Sequence, residues 1–124
     1  MNKTELINLF NKSFNEFLDI LIDKFPKEQD FILINILLNT QRLKHSDIML
    51  NLSNILIPNK QLILDKSPDF FIHKTSHMFY GINEHINSSN SFKRIWNHLQ
   101  DEEREMLWKW FKLFLNICSE YYKD

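Results

Sequence analysis

His73 and His77 stand four residues apart, and His85 follows them. On a helix the first two would share a face and could grip a zinc ion between successive turns. A closed site needs further donors, and no cysteine pair accompanies these histidines. Cys118 is the only cysteine and lies far along the chain. The pattern therefore favours surface histidines and no metal. Cys118 paired with a distant histidine would make a nucleophile, but it falls on the apolar side of the last segment, where burial raises a thiol's pKa and keeps the thiolate from forming. Its position predicts core packing. The carboxylates Asp101, Glu102 and Glu103 suggest acid/base work, yet they open a helix, where the backbone dipole already favours negative charge. Gly81 is the sole glycine, which leaves no material for a phosphate-cradling loop. Glu16, Glu28, Glu84 and Glu120 are not followed by His at the three-residue spacing that helical di-metal enzymes use. The expectation is a protein without catalytic residues or cofactor.

One binding constellation competes with that reading. Lys93, Arg94 and Arg104 lie near Trp96 and Trp108 and would form a small basic-aromatic patch for single-stranded nucleic acid. Fifteen basic residues face sixteen acidic ones, for a net charge of −1, so phosphate neutralisation has little surplus to draw on. A solvated helix rim around core aromatics is the simpler expectation, and the nucleic-acid patch stands as the alternative.

The elements that must position these residues belong to one domain, 1–124, large enough for a single core. Ala and Val are absent, while Ile, Leu, Phe, Asn and Lys abound. Residues with G-initial codons are those missing, which is the imprint of an AT-rich genome. A lone cysteine points to a reducing, intracellular setting. The Asn-x-Ser/Thr matches at Asn2, Asn11, Asn51 and Asn87 are then fortuitous. Helical alternation with Glu5 and Asp19 argues against a secretory leader, and no apolar run approaches the length of a membrane span.

Leu6, Phe10, Phe14, Phe17 and Leu21 recur at three- and four-residue spacing and predict an amphipathic helix over 3–24, with Asn2 and Glu5 as a capping box and Pro26 beyond its end. Residues 31–38 are apolar around almost the whole helical circumference. Strand is an alternative there, but flank length and the lack of a pairing strand favour a helix over 27–43, placed at the centre of the bundle. Ser46 predicts the cap of a third helix to about Ile57, with Ile48, Met49, Leu52, Ile55 and Leu56 buried and Pro58 as its stop. Over 59–90 the periodicity weakens; Ser67-Pro68-Asp69 opens a short helical piece carrying Phe70, Phe71 and Ile72. Ser91 and Asp101 predict the caps of two final helices, over 92–99 and 102–122. The fold class is all-α, a compact bundle of five to six helices with an irregular middle segment.

The last helix carries apolar residues over roughly 220° of its circumference at about 100° per residue. That arc exceeds one contact face. Either neighbours enclose the helix, or a part of it, around Trp108, Leu115 and Tyr122, meets a protein partner or a second copy.

The run from Phe10 to Leu18 leading to Phe25-Pro26, then Asp69-Phe70-Phe71, then Trp96 and Leu99 before Glu102-Glu103 and Trp108-Lys109-Trp110-Phe111, resembles a family of small uncharacterised all-helical proteins of the nucleocytoplasmic large DNA viruses. The family supplies no catalytic residues to carry over. The resemblance implies a viral protein of host cytoplasm or virion, acting as a virion component or assembly subunit. A non-enzymatic interaction or structural protein is the function expected, with no membrane partner and nucleic acid not favoured.

Overall fold

The computed structural model describes residues 1–76, 78–79 and 90–123. Among these it has seven helices and no strand: α1 (Lys3–Lys24), α2 (Gln29–Asn39), α3 (His45–Leu56), α4 (Lys60–Leu64), α5 (Asp69–His73), α6 (Ser91–Trp96) and α7 (Asp101–Tyr121). The all-helical expectation holds, with one short helix more than five to six. That helix, α4, was hidden in the weakly periodic stretch, where a five-residue element has too little length to show a period.

Helix α1 begins where its capping box sets it. The Glu5 amide donates to Asn2 Oδ1 at 2.8 Å and the Asn2 amide to Glu5 Oε1 at 3.5 Å. The other expected caps shift by one or two residues. Ser46 is inside α3, whose cap is Lys44 with no side-chain bond. Ser91 opens α6 behind Asn90, and Asp101 opens α7 behind Gln100, which makes a capping box with Glu103.

Residues 31–38 are helical. Their central placement is not observed. Only Phe31, Ile34 and Leu37 of α2 are buried, and the helix packs chiefly on α1, with Phe31 reaching Phe92 of α6 at 5.3 Å. The centre belongs to α7, which borders α1, α3 and α4. A core without Ala or Val is filled by rings instead. Phe10, Phe14 and Phe17 of α1 meet Phe111 and Phe114 of α7, with Phe17 edge-on to Phe111 at 5.8 Å. Phe71, on five-residue α5, sits 4.8 Å from Trp96, 4.7 Å from Trp108 and 5.0 Å from Phe111. Such pairs add about 0.5–1.5 kcal/mol beyond area burial, and they hold short helices that could not persist alone.

Scarce glycine leaves its mark on the backbone. Gln41 (φ 60°) and Lys66 (φ 52°) occupy the left-handed region directly after α2 and α4. Arg42 N donates to Leu37 O and Gln41 N to Leu38 O; Ser67 N donates to Leu62 O and Lys66 N to Ile63 O. Both are Schellman closures, normally built on glycine, and a residue with a Cβ there costs about 1 kcal/mol.

Candidate functional site

Two of the three side chains expected at a partner surface are in the core. Trp108 is 3% exposed and Leu115 2%. Trp108 sits in a cage of Phe70, Phe71 and Trp96 at 4.7–6.4 Å between ring centres. The wide apolar arc of α7 is thus occupied mainly by α1, α3 and α4, the first of the two alternatives the arc allowed. What it leaves half-buried is Met106, Trp110 and Leu113, which line an open groove edged by Glu102, Glu105 and Lys109.

Tyr122 is the member that reaches solvent, at 37% exposure. It shares a shallow concavity of about 300 Å3 with Leu50, Ser53 and Asn54 of α3 and with Ile57 and Pro58 just beyond its end. Leu50 is 49% exposed and Ile57 39%. No charged side chain lines this concavity among the described residues, and residues 48–59 contain none. The Ser53 hydroxyl donates to Leu50 O at 2.6 Å and also lies within hydrogen-bond reach of the Tyr122 phenol. Partial burial, with the neighbouring Cys118 and Tyr121 adding to it, holds the Tyr122 phenol above its ordinary pKa, so it remains a neutral donor at physiological pH. Leu50 and Ile57 were not singled out from sequence. Their signal was present, because both fall outside the buried stripe of Ile48, Met49, Leu52 and Leu56.

The basic-aromatic patch does not assemble. Arg94 is spent on Glu28, with Nη2 at 2.7 Å from Oε2 and Nε at 3.1 and 3.2 Å from the two oxygens. That pairing holds the Glu28 carboxyl below its usual value and raises the guanidinium. Ser91 Oγ, which receives Arg94 Nη2 at 3.2 Å, donates to Asp30 Oδ2 at 3.2 Å and closes a bridge from α6 to the start of α2. Arg104 lies 4.7 Å over the Trp96 ring and donates Nη2 to Trp96 O at 3.0 Å, a cation placed on the C-terminal end of α6. Trp96 and Trp108 are buried and offer no face to a base. Lys93 alone of the three is an exposed cation free of these contacts.

Of the histidines, His73 is exposed on α5, with Nε2 4.0 Å from Asp69 Oδ1. His77 and His85 lie outside the described residues. No group of three potential ligands converges among those described. Cys118 is buried, with Sγ 3.9 Å from Met49 O, and burial pushes its thiol up to about 12. A thiol so placed is no nucleophile at neutral pH. Asp101, Glu102 and Glu103 form the first turn of α7, and Glu103 Oε1 accepts from the Gln100 amide at 3.0 Å.

Among the described residues, no helix is long and apolar enough to cross a membrane. No family model, curated protein or solved structure matches this chain.

Proposed function

We propose that this chain is a non-enzymatic interaction or structural protein, and that its contact surface is the uncharged concavity formed by α3 and Tyr122. The supporting observation is the convergence of Leu50, Ile57 and Tyr122, each more than a third exposed, on a lining without charge. Single exposed apolar side chains are ordinary on any protein surface. Several sharing one uncharged depression match the centre of a protein–protein interface, where aromatic residues are enriched and charges depleted. Tyrosine suits this place because it offers a rigid apolar ring and one hydroxyl. The sequence resemblance and the AT-rich composition support assignment to a viral assembly or virion, with a partner protein or a second copy as the ligand. No observation favours the nucleic-acid alternative, since two of its three cations are engaged within the fold.

The test is size-exclusion chromatography with light scattering, joined to capture from native or infected lysate, on the natural chain and on Leu50→Glu with Ile57→Glu. Both sites are exposed, so the double variant keeps its fold. The reading expects an oligomer or a captured protein that the double variant loses. A strict monomer that captures nothing, or capture indifferent to the two substitutions, removes it.

A further inference from the structure

Helix α2 gives one face to the fold and, in the single chain, leaves the other in water. Phe31, Ile34 and Leu37 are buried, whereas Ile36 is 51% exposed and Ile32 and Leu33 are half-buried. At about 100° per residue, Ile32 and Ile36 stand opposite the buried stripe and Leu33 flanks them. With Gln29 and Asp30 these three line an open concavity of about 430 Å3. Residues 31–41 carry no charge, and opposite charges bound them: Asp30 precedes Ile36 by six residues and Arg42 follows it by six. Asp30 Oδ2 accepts from the Ser91 hydroxyl at 3.2 Å, a neutral donor that does not cancel its charge, and Arg94 nearby is held by Glu28. Arg42 is exposed and has no side-chain partner among the described residues.

We propose that α2 packs antiparallel on α2 of a second copy of this chain, across a two-fold axis at Ile36, with Asp30 of each copy facing Arg42 of the other. A two-fold contact is self-complementary, so in an antiparallel helix pair a residue n places before the axis meets the residue n places after it. Ile36 is the most exposed apolar residue of α2. With the axis there, position 30 meets position 42 at both ends, and each meeting joins a carboxylate to a guanidinium. A parallel pairing would set Asp30 on Asp30 and Arg42 on Arg42. Antiparallel alignment also brings the positive end of each helix dipole beside the negative end of the other. One exposed isoleucine is ordinary on a protein surface. An uncharged helical face bounded by opposite charges at equal distances fits a copy of itself. At 11 residues, about 16 Å, the helix offers a small contact, so the dimer is reversible and forms only at high concentration.

The experiment is sedimentation equilibrium of the full chain from about 10 μM to 1 mM, the range in which a small interface is populated. A monomer–dimer equilibrium is expected, weakened about tenfold or more by Ile36→Lys, which brings like charges together at the axis. Leu50→Glu with Ile57→Glu should leave this dimer whole, which separates it from the α3 and Tyr122 concavity. Asp30→Lys and Arg42→Glu each set like charges against one another and should not dimerise alone. Mixed together, the two variants place opposite charges at both ends and should associate. Circular dichroism checks that each is folded; because Asp30 also binds Ser91, Arg42→Glu and Ile36→Lys carry the test should Asp30→Lys unfold. A chain that stays monomeric at about 1 mM overturns the proposal. So does a dimer indifferent to Ile36→Lys or Arg42→Glu, or a mixture of the two folded charge variants that associates no better than either alone.

Discussion

Helix α7 borders α1, α3 and α4 and buries Trp108, Phe111, Phe114 and Leu115, whereas α2 rests chiefly on α1 and leaves Ile36 51% exposed. Yet α2 is the more uniformly apolar of the two, with no charged residue from 31 to 41, and α7 alternates its rings with Glu, Lys and Arg. Central position here follows reach and side-chain volume more than average hydrophobicity. At about 1.5 Å per residue, the 21 residues of α7 span roughly 31 Å and the 11 of α2 roughly 16 Å. A long helix can serve several neighbours along its length. A short one reaches few, and its remaining apolar face stays in water.

The sharpest way to break this comparison is Trp108→Ala. Loss of a ring held by Phe70, Phe71 and Trp96 should cost about 3–5 kcal/mol in urea unfolding. A loss below about 1 kcal/mol would mean that α7 is not the hub. Glu28→Gln tests how α2 is held at its start. Because exposure of Arg94 weakens the pair, a cost of about 1 kcal/mol at neutral pH is expected. The folded-state pKa of Glu28 lies below its ordinary value of 4.5, so this stability is present above pH 4.5 and lost as pH falls through the folded value. Natural and variant chains should converge in acid; a difference that persists there would show the effect is not the ion pair. Gln41→Gly, at the other end of α2, should stabilise by about 0.5–1 kcal/mol by relieving the left-handed backbone, and a lower melting temperature would contradict the strain argument. The smallest effect belongs to Ile36→Lys, which should move stability by no more than about 0.5 kcal/mol. Destabilisation like that of Trp108→Ala would place the outer face of α2 against something within the fold.

Much of the fold was legible because α1, α3 and α7 have apolar stripes long enough to fix a period. The capping box of Asn2 and Glu5 even set the start of α1. Residues 31–38 misled for a physical reason: an all-apolar helix carries no phase, so its sequence cannot say which side is wet. Burial of Phe31, Ile34 and Leu37 is decided by α1, not by α2 itself. The candidate surface was half legible. Trp108, Leu115 and Tyr122 share one side of the α7 arc and were indistinguishable by spacing; packing separates them, Trp108 being covered by Phe70 and Phe71 of α5 and Trp96 of α6. The bridge between α2 and α6 had no local signal, because Glu28 and Arg94 are 66 residues apart.

Cys118 gives the α3–α7 contact a built-in clock. Its sulfur is covered by both helices, and no other cysteine competes for a thiol reagent. Modification must wait until α3 lifts from α7. Where reclosure outpaces the reagent, the labelling rate reads the free energy of that single separation, and comparison with global unfolding tells whether the two helices part alone or only as the whole bundle comes undone.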